Sequence, residues 1–167
     1  MALDDHVDEE LEIRLFQESD VDEVAAIDRQ IVGRDRRSYL ASYAWSPKMG
    51  ERISLSFVAA DEGRIIGYVL GGVYRGEFGA VEPLAILETI AVVSGQQRHR
   101  AAHTLFAAFA DHAQRLDAVH IRTLVPWNAY DLLGFFEAMG MRPTGLVPLS
   151  VNVDRVSPLP PHHIDED

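Results

Sequence analysis

The stretch Val92–Phe106, VVSGQQRHRAAHTLF, reads as the end of a strand, a short polar loop and the opening of a helix. That opening gathers Arg98, His99, Arg100 and His103. A helix N-terminus already presents unpaired N–H groups and the positive end of the macrodipole, so cations there are unfavourable unless something negative sits nearby. The cluster therefore marks a place for an anion.

The rest of the chain narrows which anion. Its 167 residues, 47% of them hydrophobic, suit a single domain with a substantial core. A formal net charge of -11 and a single lysine, Lys48, argue against a nucleic-acid binder, because phosphate-backbone affinity rests on surplus Lys and Arg. The absence of cysteine removes disulfides, thiolate nucleophiles and Cys-ligated zinc, and fits a cytoplasmic protein. The start, MALDDHVDEE, is acidic where a signal peptide is basic then apolar, and no apolar run approaches the roughly 20 residues of a membrane span.

Residues 1–10 are charged and aperiodic, and residues 154–167 are rich in Pro, His and acid, so both read as disordered tails around a domain at 11–153. His162 and His163, side by side among prolines, are read as solvated rather than metal-binding, and no metal site is expected. LEIRLF at 11–16 alternates as a strand, and Ser19, Asp20 and Asp22 open a helix carrying Val21, Val24, Ile27 and Ile31 on one face. A short second helix follows, with Tyr39, Leu40 and Tyr43 inward. Two strands then flank a hairpin turn at Asp61–Gly63, and LAILETIAVV forms a buried strand containing one carboxylate, Glu88.

The helix at about 101–116 carries Leu105, Ala108, Phe109 and Leu116 on one stripe and Ala102, Phe106, Ala110 and Ala113 on another. A strand at 118–125, a helix at 128–141 ending at Gly140, and a last strand at 144–153 complete the order. The expected fold is α/β in the α+β sense, a mixed and mostly antiparallel sheet of six to seven strands with helices on both faces.

This element order and the loop before the helix resemble the Gcn5-related N-acetyltransferase (GNAT) superfamily, whose cofactor motif Q/R-x-x-G-x-G/A follows a strand and opens a helix. The matching residues are Gln97, Arg98, His99, Arg100, Ala101 and Ala102. TIAV at 89–92 resembles the family's fourth strand, and TLVPWNAYDLLGFFEAMGMRP resembles its last motif, with Asn128, Phe136, Gly140 and Met141 on the matching places. The likeness covers roughly residues 11–153. It implies acetyl-CoA as cosubstrate and an amine acceptor: a small molecule, a peptide N-terminus or a protein lysine. The pyrophosphate of coenzyme A would lie on N–H groups of the loop and first helical turn, with Arg98, Arg100, His99 and His103 adding charge.

Arg100 stands where the family usually has Gly, so its guanidinium either meets the phosphates or obstructs them; the cationic neighbours favour the first reading. By resemblance, backbone groups of Ile90, Ala91 and Val92 hold the pantetheine and polarise the acetyl carbonyl, and Asn128 contacts coenzyme A or caps the helix.

Glu88 is the candidate general base, since a carboxylate inside an apolar strand is costly unless it faces a polar cleft or has a partner such as Arg122. The family's usual acid, a Tyr four residues before the helix-ending Gly, is Phe136 here, and Tyr130 is the candidate substitute. Tyr43, Trp45, Phe78 and Trp127 are candidate walls of an acceptor pocket, and Glu77 could select a cationic amine. The competing expectation is a coenzyme A-binding regulatory domain without catalysis. A homodimer through an edge strand fits either.

Overall fold

The computed structural model describes residues 11–44, 53–75, 81–95 and 98–155. Gln97, Trp45, Glu77, Phe78, His162 and His163 from the sequence reading lie outside these residues. The chain divides into two compact units, Met1–Pro126 and Trp127–Asp167.

The first unit holds a sheet of β1 (Glu12–Leu15), β2 (Ile53–Ser54), β3 (Phe57–Asp61), β4 (Arg64–Tyr74), β5 (Leu84–Val92) and β6 (His120–Arg122). Spatial order is β1-β3-β4-β5-β6, with β2 also paired to β4. Every pairing is antiparallel except β5 with β6. The second unit holds α4 (Tyr130–Ala138) and a 3-10 turn at Val153–Arg155.

β2 and β3 are one strand interrupted at Leu55 and Ser56. Ile53 registers with Val73 and Phe57 with Val69, while Leu55 N–H donates to the Gly71 carbonyl at 2.9 Å. The interruption is satisfied locally: Ser56 Oγ accepts the Gly71 N–H at 3.3 Å, and its carbonyl accepts Phe16 N–H at 2.9 Å. The β3–β4 hairpin turns at Glu62 and Gly63, both with positive φ, as the Asp61–Gly63 stretch predicts.

One face of the sheet is covered by α1 (Val21–Val32) and α2 (Arg37–Ala41). Val21, Val24, Ala25 and Ile27 of α1 join Leu40, Tyr43, Val58, Tyr68 and Leu70 in one core. Ile31, expected inward, is 54% exposed, because α1 ends at Gly33 and its last turn overhangs the core. The start of α1 is tied to the sheet twice. Arg14 of β1 clasps Asp20 through two hydrogen bonds of 2.7 and 2.9 Å, and Glu23 Oε1 accepts Ile65 N–H at 2.8 Å.

The opposite face is covered by α3 (Arg98–Arg115), whose Ala101, Leu105, Phe109 and Ala113 recur every fourth residue and are buried, with Phe106 beside them. The helix starts three residues before the sequence pattern suggested. Two glycines let it lie close. A Cβ on Gly67 would sit 3.3 Å from Leu105 Cδ1 and 2.8 Å from Val92 Cγ2. One on Gly71 would meet the Ile86 carbonyl at 2.2 Å and the Phe109 ring at 2.7 Å. α3 ends in a Schellman arrangement with Asp117 at φ 62 in place of Gly: Asp117 N–H bonds the Gln114 carbonyl and Ala118 N–H the Ala113 carbonyl, each at 3.0 Å.

Two strand expectations are corrected. The run 118–125 forms a strand only at His120–Arg122, since β6 pairs with β5 only over Leu84–Ile86. Residues 144–153 form no strand. Leu146, Val147, Leu149 and Val151 alternate in part but stand 61–91% exposed, and Pro148 supplies no N–H to a ladder. α4 occupies Tyr130–Ala138 and ends as expected at Gly140, whose N–H bonds the Glu137 carbonyl while Met141 N–H bonds that of Phe136, both at 2.9 Å.

Gly71→Ala should destabilise the protein by about 2–3 kcal/mol, the cost of forcing a methyl into a filled contact. Urea unfolding checks it, and the same change at the open Gly134, where nothing lies within 4 Å of a Cβ, should not destabilise.

Candidate active site

β5 changes neighbours part-way along its length. β4 pairs it from Leu84 to Val92, whereas β6 pairs it only from Leu84 to Ile86. From Leu87 onward the β6-side edge of β5 has no strand partner among the described residues, so alternate backbone N–H and C=O groups there remain available to a ligand. Ile90, Ala91 and Val92 are half-buried along this edge.

Glu88 sits where the open edge begins. Leu70 registers with Thr89 and Gly71 with Leu87, so Glu88 is the extra residue of a β-bulge. The strand is buried at its start but its carboxylate is not: Leu87 is 2% exposed, and Glu88 is exposed. The bulge turns the side chain out of the pleat, so its charge needs no internal counter-ion. Arg122 registers with Ile86, and among the described residues Glu88 makes no ion pair.

The position of α3 carries the cationic cluster to the far end of the same edge. Phe109 lies over Gly71, level with Leu87, and Leu105 lies over Gly67, level with Val92. Up to two further turns toward the N-terminus carry Arg100, His99 and Arg98 past the end of β5. All three are exposed, as is His103, while Ala101 is buried and Ala102 half-buried against the sheet. The first turn carries no acidic residue, and Arg98 N–H bonds the Gly95 carbonyl at 3.3 Å. About four residues of strand, roughly 13 Å, separate Glu88 from Val92, the last residue of β5 before this helix start.

On the α1–α2 face, Tyr43 is buried at the bulge's level in the core with Leu70, and Tyr39 and Ala91 pack against the same core. The Tyr39 and Tyr43 rings lie 5.0 Å apart at 58°. Burial, then hydrogen bonding with Tyr39, then the charge of Glu88 raise the Tyr43 hydroxyl above the usual phenol range. Sequence reasoning named Tyr43 as a wall but missed what fixes it.

That anchor is Asp28, a fully buried carboxylate on α1. Arg36 binds it with two hydrogen bonds, Nε at 3.0 Å and Nη2 at 2.5 Å, and the Tyr68 hydroxyl donates at 2.5 Å. The guanidinium also lies 4.9 Å from the centre of the Tyr39 ring. Burial alone would raise the Asp28 pKa, but the bonds from Arg36 and Tyr68 outweigh it and hold the carboxyl below its usual range. A signal was present in the sequence: Asp28 falls four residues after Val24 and seven after Val21, on the apolar face of α1.

In the second unit, Asn128 lies in a turn and is exposed, and the residue at the α4 N-cap is Ala129, so Asn128 is not the cap. Tyr130 is 71% and Trp127 81% exposed, and Phe136 is buried with its ring edge-on to Phe135.

The family model for the acetyltransferase (GNAT) family matches residues 14–141. The chain belongs to the GNAT acetyltransferase family. Solved structures share its fold at low identity. The ribosomal-protein-alanine N-acetyltransferase of Brucella melitensis biovar Abortus 2308 superposes with TM-score 0.69 at 15% identity, covering 86% of this chain and 99% of that one. The aminoglycoside N-acetyltransferase AAC(6′)-Iy, solved in complex with CoA, gives 0.71 at 16%, covering 86% and 95%. An aminoglycoside acetyltransferase, meta-AAC0020, from an uncultured soil metagenomic sample gives 0.69 at 16%, covering 89% and 99%. No curated protein sequence matches the chain. Family membership supports acetyl transfer as the activity. Among the described residues there is no His, Asp and Glu grouping that could hold a metal ion, and no helix long and apolar enough to cross a membrane.

Asp28→Asn leaves Arg36 charged without its counter-ion and should cost about 3–5 kcal/mol in chemical denaturation. Because the folded-state pKa of Asp28 is depressed, its contribution is complete above the unfolded carboxylate value and is lost as pH falls through the folded one. The variant should therefore lose less stability than the native protein on acidification. Asp20, also depressed through Arg14, retains part of the acid limb in both.

Proposed function

We propose that the protein is an acetyl-CoA-dependent N-acetyltransferase acting on a primary amine. The observation that carries this reading is the line formed by one strand: an open edge of β5 with a bulged-out carboxylate at one end and an acid-free, cationic helix start at the other. Such an edge suits an extended, amide-bearing arm, and the helix start suits the phosphates at the end of that arm. These residues fit coenzyme A on chemistry alone.

When bound, acetyl-CoA supplies the acetyl thioester. Around it, Arg98, Arg100, His99 and His103 hold phosphate charge, with Gln97, N–H groups of the first helical turn and the small residues Ala101 and Ala102 completing the cradle. Backbone groups of Ile90, Ala91 and Val92 hold the arm and polarise the carbonyl. Glu88 removes the proton that the amine must shed, a C–N bond forms as the C–S bond breaks, and the leaving sulfur takes a proton. Tyr130, exposed at the first turn of α4, is the side chain proposed to deliver that proton, and Asn128 is proposed as a further coenzyme A contact. The protein works as a soluble, cytoplasmic enzyme and requires no metal. The acceptor is a small molecule, a peptide N-terminus or a protein lysine; the aminoglycoside and ribosomal-protein enzymes of like fold make kanamycin and an alanyl peptide the first acceptors to screen.

Two measurements test the reading. Calorimetric titration should show acetyl-CoA bound by the native protein and bound about tenfold more weakly after Arg98→Ala or Arg100→Gly; tighter binding by Arg100→Gly would make that arginine an obstruction. With an acceptor that turns over, Glu88→Gln should lower kcat at least a hundredfold with the affinity for acetyl-CoA unchanged. Unchanged turnover would remove Glu88 from the chemistry, and binding without turnover on any amine would favour a regulatory domain.

A further inference from the structure

One row of residues crosses four strands just before Glu88. Ser54 registers with Gly72, Gly72 with Ile86, and Ile86 with Arg122, the last residue of β6. Residues registered across a sheet share a face, and Ser54 Oγ donates to the Tyr43 carbonyl at 2.9 Å in the turn after α2. Arg122 therefore leaves the sheet on its α1–α2 side. The alternation of β5 agrees: Leu87 registers with Gly71, whose Cβ would point at Phe109 of α3, so Ile86 faces the other way. Thr89 shares the α1–α2 face, since it registers with Leu70 of that core.

Arg122 thus stands at the mouth of the β5 opening, beside Ile86 and two residues of strand, roughly 7 Å, short of the level of Glu88. Arg122 and Thr89 are both half-buried, and among the described residues neither the guanidinium nor the hydroxyl has a hydrogen-bond or ion-pair partner. No buried polar side-chain atom there is left unpaired, so both groups reach solvent. The chain has 26 acidic residues against 15 Lys and Arg, yet none of the described ones neutralises Arg122. A guanidinium with a half-buried stem and an open, planar fork is suited to a carboxylate from outside.

Glu88 and Arg122 are opposite charges on neighbouring strands that do not pair with each other. They match a molecule that carries both signs, its ammonium toward Glu88 and its carboxylate toward Arg122. Such a zwitterion has no net charge, so the -11 of the chain does not repel it. Resting on the reading of Glu88 as the acceptor-side base, we propose that Arg122 is a specificity residue that receives the acceptor's carboxylate, so that the preferred acceptors are amino acids or other amines bearing a carboxylate.

Amino acids and their carboxamides differ in that one group. An equimolar mixture of the common amino acids, cysteine omitted, and the matching mixture of carboxamides are offered to the full chain. Saturation-transfer NMR with coenzyme A present reads binding, and thiol released from acetyl-CoA reads turnover, free of background because the chain has no cysteine. The acids should be bound and acetylated at least tenfold better than the amides. Arg122→Gln should reduce that preference below twofold, with thermal midpoint and acetyl-CoA affinity unchanged, and Arg122→Lys should restore part of it. Equal treatment of acids and amides, a preference that survives Arg122→Gln, or no binding of either mixture overturns the assignment. Should Arg122→Gln fail to fold, Arg122→Met, which keeps the packing of the stem, takes its place. A chain that binds acetyl-CoA and acetylates acids and amides alike keeps the transferase reading and loses this assignment. One that binds the acids through Arg122 and releases no thiol does the reverse.

Discussion

The structure depends on β5 being held on both edges for three residues and on one edge thereafter. A strand paired on both sides has every backbone group satisfied and offers a ligand nothing but side chains. A strand with no partner would not hold its shape. β5 combines the two conditions, because β6 gives it a parallel neighbour at Leu84–Ile86 and the antiparallel ladder with β4 continues to Val92. The open stretch is therefore held in shape from one side and keeps unused hydrogen-bonding groups on the other. The bulge falls two residues past the last β6 pair, so the single carboxylate of the strand emerges where the opening starts.

That opening stays in position because both faces of the sheet are pinned close to it. On one side Gly67 and Gly71 bring α3 down onto β4, and the same contacts set how far the helix extends past the end of β5. On the other, the Asp28–Arg36 pair holds α2. A buried ion pair is a poor source of net stability, since desolvation consumes much of the attraction. Its consequence here is geometric: α2 is only Arg37–Ala41, too short to fix its own orientation, and Arg36 immediately before it is bonded to the centre of α1.

What was legible in the sequence follows from how local each signal is. The Asp61–Gly63 hairpin, the strand at 84–92, the glycine-terminated α4 and the cationic start of α3 all announce themselves within a few residues, and each stands within about three residues of where the pattern put it. Glu88 was recognisable as an anomaly, but the bulge that explains it depends on register with Leu70 and Gly71, which no local pattern reports. The misreading of 144–153 has the same origin: partial alternation is necessary for a strand, yet a strand exists only against a partner. Asp28 was concealed differently. Its position on the apolar face of α1 was visible, but its partners lie eight residues away in Arg36 and forty away in Tyr68.

The two ends of the β5 edge differ in what the fold demands of them. At the α3 end, Ala101 is buried, so that turn must remain where it is, but Arg98, His99, Arg100 and His103 are exposed and contribute nothing to the core. Cations at a helix start work against the macrodipole and, in a chain of net charge -11, cannot be attributed to a general excess of basic residues. On the α1–α2 face the relation is inverted: Tyr43, Tyr68 and Asp28 are core residues, and the polar contacts of Asp28 with Tyr68 and Arg36 are inseparable from the packing of α1 and α2. Charge at the helix end can therefore vary without unfolding the protein, whereas a change at Asp28, Arg36 or Tyr68 alters the packing of α1 and α2 against the sheet at the same time.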